Sequence, residues 1–542
     1  MLLALLVVTL VLCGLAYRYF GRALERWTGL DRAESTPAHD RRDGIDFLPA
    51  KPGVLFGHHF SSIAGAGPIV GPIFAASLFG WGPTWLWIIL GAVFVGGVHD
   101  FGATIMSLRT GGNTIVETCR RLVGKQTALL FILFTVVALI YVIIVFLDLT
   151  AGSFASRPAV ATASGWFVVT ALVFGMLIRA KTLSFAKLAA IFIALTYLGL
   201  GVGQWFPAPE LDKTVWVWLI LGYCLLAAIL PVDWLMQPRD FLSATFLYAI
   251  MALGLVGLAV GGGNFELPFF IDFKAQDGSL LVPFLFITVA CGACSGFHSM
   301  VASGTTSKQI DRPADVRPVT YGAMLVEAVL ATLSLACLGV LGAMAEGGPV
   351  ATFAQGAGVF FGALGVPAEL AATFAMLAIS TFLLTTLDTC TRLCRFLLEE
   401  LTGWRGSLVS RLALTAGVLA ISGFFAVQTY PDASGTLTPA WRAIWPLFGS
   451  TNQLLAALAL TTFLVYQRSC ARPFAFLIAP AGVMVLMPLL ALGTMAFDSE
   501  ATTLLRLMAV GLFALGACVV ALSIRTFTAP ARGLITGAEA DG

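Results

Sequence analysis

Charge is what this chain has least of: 11% of its 542 residues are Asp, Glu, Lys or Arg, while 58% are hydrophobic. An ordinary soluble domain carries about 25% charged residues. A water-soluble fold could not hide so much apolar surface, so lipid must cover the rest. No extended polar domain interrupts the chain; the longest polar stretch, residues 20–53, reads as a mixed-charge cytoplasmic connector. No G-x-x-x-x-G-K-[ST] loop occurs, which excludes a built-in ATPase of that kind and leaves an ion gradient as the expected energy source. The 10 cysteines form no disulfide framework. Cys291 and Cys294 make a C-x-x-C among small and apolar residues, which reads as a helix contact rather than redox or metal chemistry. Positive charge is missing ahead of the first apolar run and follows it instead (Arg18, Arg22, Arg26). That order predicts a retained span with its N-terminus outside, not a cleaved signal. No nucleophile–base pair stands at a familiar spacing, so no enzyme activity is expected, and nothing points to nucleic acid.

What is present is a series of apolar runs. A span needs about 20 mostly apolar residues, and that rule yields about fifteen transmembrane helices. They lie near 1–19, 54–79, 83–107, 127–149, 160–178, 183–205, 214–236, 242–261, 281–304, 319–344, 367–387, 409–429, 444–466, 473–495 and 503–524. The short, glycine-rich stretch 350–365 reads as an interfacial or re-entrant piece. The fold class is therefore an all-α polytopic membrane protein, N-out and C-in. Lys and Arg support that topology, because cytoplasmic loops carry their excess. The inside loops hold, among others, Arg109, Arg179, Lys181, Arg239, Lys308, Arg392, Arg395, Arg405, Arg468 and Arg532. The outside loops and their edges hold only Arg157, Lys213, Lys274, Arg442 and Arg506. The expected organisation is an N-terminal span and connector (1–53), a transporter core (54–387) and peripheral C-terminal helices (388–542).

Ionisable groups inside a membrane are costly and usually serve an ion or substrate path. Four of the 5 histidines lie within spans (His58, His59, His99 and His298), as do Asp100, Asp148, Asp233 and Glu327, with Asp388 at an inner end. The second span is a poor helix, with Gly65, Gly67, Pro68, Gly71 and Pro72 at its middle. Glycine and proline weaken the hydrogen-bond ladder and free backbone carbonyls, and such breaks near the midplane are the usual sites of secondary transporters. A close-packed glycine face is the plainer alternative. In the ninth span Ser295, Ser299 and Ser303 repeat every four residues beside His298. Hydroxyls and freed carbonyls suit a small cation, and an imidazole suits a proton; equally, such serines can bond to their own helix. The seventh span breaks at Leu230-Pro231-Val232-Asp233, where Asp233 either binds substrate or pairs with Arg239. Glu327 and the His99–Asp100 pair are proton-relay candidates or satisfied structural bonds, and Asn452 and Gln453 a weaker hint of interhelical bonding.

These stretches together resemble the carbon starvation protein A family. The matching motifs are GHHFSSIAGAGPIVGP (57–72), VHDF (98–101), LPVDWLMQPRDF (230–241), SGFHSMVASGTTSKQI (295–310), YGAMLVE (321–327), TTLDTCTRLCRF (385–396) and WPLFGSTNQLLAA (445–457), in the expected order. The resemblance implies a multi-pass inner-membrane permease for peptides or, in one branch, pyruvate with protons. Two departures stand out: the chain is shorter than the long members, and Asp233 stands where an aromatic residue is expected. The resemblance also implies the amino acid–polyamine–cation superfamily and its LeuT-like five-plus-five inverted repeat. The second span would be its first helix, the seventh its sixth and the ninth its eighth. Substrate would then lie at Gly65, Gly67, Pro68, Pro231 and Asp233. Coupling would fall to His58, His59, His298, Ser299 and Ser303, with His99, Asp100 and Glu327 as relay. The expected activity is proton-coupled symport of a small carboxylate or short peptide, with sodium the lesser alternative as coupling ion and no cofactor. A divalent metal-ion carrier built on the membrane histidines, and a nutrient receptor that signals without transport, are the competing readings. The lipid bilayer and a small-molecule substrate are the expected partners, and no residue pattern specifies an oligomeric state.

Overall fold

The computed structural model describes residues 1–122, 124–181, 183–275, 278–404, 406–431, 437–439, 445–497 and 503–528. Arg405, Arg442 and Arg532 of the charge pattern lie outside these. Among the described residues the protein is helical apart from two short paired strands, Thr429–Pro431 and Leu437–Pro439, and isolated bridges that join Ala50 to Ile310 and Lys274 to Leu280. Twelve helices among the described residues are long and apolar enough to cross a membrane, or 13 if one bent pair counts as a single span.

The helices that matter here run as follows. Leu2–Trp27 (α1) precedes the connector. The bent pair is Pro52–Ile63 (α2) and Gly67–Phe79 (α3), which meet at 42°. Trp81–Arg109 (α4) follows, then Ile115–Leu122 (α5) and Lys125–Ser156 (α6). Pro158–Arg179 (α7) and Phe185–Trp205 (α8) form a hairpin. Lys213–Ile229 (α9) and Met236–Gly261 (α10) come next. Leu281–Thr288 (α11) and Gly296–Val301 (α12) are separated by non-helical residues. The remainder are Pro313–Leu341 (α13), Pro349–Gly362 (α14), Ala368–Thr402 (α15), Leu408–Ala426 (α16), Trp445–Ser469 (α17), Ile478–Phe497 (α18) and Thr503–Thr528 (α19).

Two of the fifteen expected spans differ from single crossings. The run 214–236 yields a helix of only 17 residues, because Pro231 cannot continue it and the chain turns between Ile229 and Met236. The run 281–304 is apolar throughout, yet the helix stops at Thr288 and restarts at Gly296.

Packing reveals an internal two-fold relation. In the first half α2 lies along α10 and α3 along α13; in the second half α12 lies along α17 and against α4. The third helices of the halves, α6 and α15, pack along each other, as do the fourth helices, α9 and α16. The halves are thus α2–α3, α4, α6, α9 and α10 against α11–α12, α13, α15, α16 and α17. The hairpin α7–α8 is inserted in the first and the short α14 in the second, and α15 runs past residue 387 without a break. The expected helix equivalents change accordingly. The ninth span is the broken sixth helix rather than an eighth, and the seventh span, α9, is a fourth helix rather than a sixth. Side chains follow this plan. Within the core, 89% of α4's most apolar window and 94% of α17's are buried, against 28% for the hairpin helix α8.

Glycine lets the two broken helices touch. A Cβ on Gly67 would overlap the Cys291 side chain, and one on Gly71 would meet the Thr288 carbonyl oxygen at 2.5 Å. Neither position has room for a side chain, so both glycines are structural. Gly71→Ala is expected to destabilise the fold by about 1–3 kcal/mol. Gly482→Ala in α18, where the added carbon meets nothing within 4 Å, is expected to be neutral or slightly stabilising. Thermal unfolding in detergent, followed by tryptophan fluorescence, checks both.

Candidate functional site

The two breaks lie side by side. Gly65, Gly67, Cys291, Ser295, Phe146 and Asn452 are among the residues lining a cavity between them, of about 10 Å³, roughly the room one water needs. Pro68 is in the first turn of α3 and lies against Gly292 of the other break. Both α3 and α12 start at this point, so two helix N-termini, each a source of partial positive charge, converge on the cavity. Pro231 and Asp233, expected here, do not line it. They stand in the α9–α10 turn, where Asp233 pairs with Arg179 at 3.1 Å, and not with Arg239.

The freed backbone of the second break is met by α17. Asn452 Oδ1 accepts from the Phe297 amide at 3.1 Å, and Asn452 exchanges hydrogen bonds with Ser295. Its neighbour Gln453 donates to the Phe286 carbonyl at 3.1 Å. One dipeptide therefore serves both sides of the interruption. At the first break Thr386 of α15 donates to the Ser62 carbonyl at 3.4 Å.

Around the breaks lie two fully buried polar clusters. In the first, α4 and α12 meet: Asp100 accepts from His99 Nδ1 at 2.7 Å and from His298 Nδ1 at 3.2 Å. His298 Nε2 stands 3.7 Å from Glu327 Oε2 on α13. Neither Glu327 oxygen has a hydrogen-bond partner, nor does Nε2 of His59, His99 or His298. Buried polar atoms are seldom left so, and these can accept or release a proton. His59 Nδ1 contacts Thr306 Oγ1 at 2.8 Å.

Sequence alone does not show the second cluster. His58 Nδ1 meets Asp240 Oδ2 at 2.6 Å, and Thr305 lies 3.4 Å from His58 Nε2. Arg239 donates to Asp240 at 2.7 Å, to Tyr223 at 2.6 Å and to Asp388; Tyr223 donates to Asp388 at 2.8 Å. His58, Arg239, Asp240 and Asp388 are wholly buried. Arg239 is therefore not a loop charge but the centre of a network joining α2, α9, α10 and α15. Arg392 and Arg395 are likewise buried in α15. Arg392 donates to the Ala227 and Leu230 carbonyls at the end of α9, at 3.0 and 2.6 Å, and to Asp46 of the connector at 2.9 Å. Burial alone would push the Asp46 carboxyl up, but Arg392, Arg395 and Lys308 hold it below its ordinary value. A depressed carboxylate stabilises the fold above its unfolded value and loses that contribution as pH falls through the folded one.

The serine stripe shows the plainer of its two expected uses, bonding to its own helix. Ser299 donates to the Gly296 carbonyl at 2.8 Å. Ser303 donates to the Ser299 carbonyl at 2.6 Å and accepts from the Ile115 amide at 3.0 Å. Thr305 and Thr306, two and three residues further on, are the hydroxyls that meet His58 and His59. A π-helical turn at Ala302–Thr306 sets this phase. Asp148 pairs with Lys213 at 2.5 Å, apart from the residues of both clusters. Among the described residues no group of three or more His, Cys, Asp and Glu side chains could hold a metal ion.

Comparison with known proteins places this geometry. Residues 1–346 and 338–491 match the family described as Carbon starvation protein CstA. The chain is 31% identical over 517 residues to the peptide transporter CstA of Bacillus subtilis, covering 84% of this chain and 83% of that one. It is 30% identical over 527 residues to the peptide transporter CstA of Helicobacter pylori, covering 84% and 76%. The pyruvate/proton symporter BtsT of Escherichia coli is 29% identical over 545 residues, covering 82% and 74%. Among solved structures, a point mutant of a manganese transporter from Eremococcus coleocola superposes with a TM-score of 0.52 at 12% identity, covering 89% of this chain and 97% of that one. That likeness shows a shared fold.

Removing the cation at the centre of the second cluster leaves two buried carboxylates facing each other. Arg239→Gln is expected to cost about 3–5 kcal/mol of stability, read as the loss of folded protein in detergent unfolding. A cost below about 1 kcal/mol would show that the network is not what holds α2 to α10 and α15.

Proposed function

Because the chain belongs to the carbon starvation protein CstA family, we propose that it is a proton-coupled secondary transporter which carries a small carboxylate or a short peptide across the inner membrane. One observation carries this reading: two interrupted helices of an inverted repeat share a small cavity, with a buried His–Asp–Glu cluster on and beside them. Relatives named as peptide transporters and as a pyruvate/proton symporter support both the solute class and the coupling ion.

In this reading the solute's carboxylate faces the N-terminal ends of α3 and α12, and its remaining polar groups meet Asn452, Ser295 and the backbone at Gly65 in the first break. The cavity must widen for any of these solutes to enter, and widening needs the helix halves to move. The proton resides on the His298–Glu327 pair, with Asp100 as fixed counter-charge. Protonation biases the protein toward one opening only if one conformation binds the proton better. His298 lies on α12, whose position defines the cavity wall, so the two events are mechanically joined. His59 and His58, held by Thr306 and Thr305, link α2 to the same element. With protons moving inward down their gradient, symport makes uptake the working direction. A divalent-metal carrier is not favoured: the relatives are named as peptide and pyruvate transporters, and the manganese transporter's likeness extends to fold alone. A receptor that signals without transport is not favoured by relatives that are transporters.

Proteoliposomes with an imposed pH difference test the proposal with labelled pyruvate and a labelled dipeptide. One proton per solute allows a one-unit difference to sustain about tenfold accumulation. His298→Gln and Glu327→Gln are expected to abolish that accumulation while leaving solute exchange without a gradient. Accumulation that ignores pH and follows a sodium gradient would overturn the proton assignment.

A further inference from the structure

Away from the breaks, a cavity of about 380 Å³ opens between the connector, the α7–α8 hairpin and the start of α10. Its rim is cationic and its floor apolar. Lys51, Arg179 and Lys181 stand at the rim with one carboxylate, Asp233, which Arg179 engages. Lys51 lies 4.8 Å over the Phe185 ring, and neither Lys51 nor Lys181 has a carboxylate partner among the described residues. Lys181 also holds a left-handed backbone, with φ of 51°, a conformation that side chains other than glycine adopt at some cost. Phe174, Phe241 and Leu188 line the floor.

Three helix N-termini converge on this rim: α2 beginning after Lys51, α8 beginning at Phe185 and α10 beginning at Met236. None has a side-chain cap. Pro52 and Pro238 carry no N–H, and the Val54 and Gln237 amides donate to the Lys51 and Val232 carbonyls, so what these ends offer an anion together is chiefly the macrodipole. The neighbouring outer surface is apolar, with Met176 and Leu183 exposed, so the cavity adjoins the face that lipid covers. A free anion would satisfy the rim and leave the aromatic floor without a use. An amphiphile satisfies both.

We propose that this cavity binds an anionic phospholipid of the surrounding leaflet, its phosphate at Lys51 and Lys181 and the first segment of an acyl chain on the Phe174–Phe241 floor. Because Lys51 is the residue from which α2 departs, the bound lipid rests against the first half of the first broken helix.

Delipidated, purified full-length protein is titrated with phosphatidylglycerol, phosphatidylcholine and inorganic phosphate, and bound ligand is counted by native mass spectrometry. Phosphatidylglycerol is expected to bind in preference to phosphatidylcholine, and inorganic phosphate not to displace it. Each neutralised lysine near a lipid surface is worth about 1 kcal/mol, or about fivefold in affinity, so Lys51→Gln with Lys181→Gln is expected to weaken binding roughly 25-fold. Leu188→Trp, which fills the floor and keeps both lysines, is expected to weaken phosphatidylglycerol as well. Equal retention of the two lipids, full displacement by phosphate, or unchanged binding in both variants would overturn the proposal. Should the double lysine variant fail to fold, the lipid preference of the unaltered protein and the Leu188→Trp result decide it.

Discussion

A peptide group that loses its helical partner inside a membrane has to find another within the protein, since lipid offers none. The architecture around residues 289–295 is organised by that requirement. Asn452 and Gln453 stand on one turn of α17 and supply an acceptor to the downstream half-helix and a donor to the upstream one. Gly449 and Gly296 make the approach possible: a Cβ on the first would meet the Ile287 carbonyl oxygen at 2.6 Å, and one on the second would overlap the Asn452 carbonyl oxygen. The interruption is therefore built into the packing of three helices. Its counterpart at residues 64–66 is shorter and rests on glycine, proline and the hydroxyl of Thr386.

The same scarcity of water shapes the ionisable groups. Every charge in the Arg239 network has a partner of opposite sign within the protein, and the network ties the half-helix α2 to the scaffold helix α15 through α10. The His298 cluster is less complete, with the Glu327 carboxyl lacking any hydrogen bond. The contrast is one of charge pairing: in the Arg239 network only Asp388 Oδ1 lacks a hydrogen bond and every charge is paired, whereas both Glu327 oxygens and the Nε2 atoms of His99 and His298 are left without one. The connector extends the first arrangement to the chain's surface. Leu48 and Ala50 donate backbone hydrogen bonds to Lys308 and Gln309 at 3.3 and 3.0 Å, and Asp46 reaches Arg392. The end of the second broken helix is thereby tied to α15.

Much of the fold is legible in the sequence, because apolar length decides a span with little help from tertiary context. The first break is legible for a local reason too: the glycines and prolines crowded into residues 65–72 leave a helix no alternative. The second is not, since the CGACSG stretch holds no proline and its unwinding depends on Asn452 and Gln453, far away along the chain on α17. Leu230-Pro231 is the opposite case, a strong local signal that merely ends α9. Serine at every fourth position has the look of a ligand stripe, but that spacing is also the one at which a hydroxyl returns to its own helix; only the π-helical turn shows that Thr305 and Thr306 face the histidines. Arg239 and Arg392 read as loop charges because sequence reports where a charge falls along the chain and not which carboxylate or carbonyl awaits it. The adjacent Asp240, in the same motif, is the available signal.

In the proposed transport cycle both breaks face one solute path. Cys291, partly exposed at the cavity while Cys294 is buried, permits a direct measurement. A variant retaining Cys291 as its sole cysteine is reacted with a membrane-impermeant maleimide in proteoliposomes, with and without saturating pyruvate or dipeptide. If both breaks face that path, a transported solute slows the modification of Cys291. Modification at one unchanging rate, whatever solute is present and transported, would contradict it.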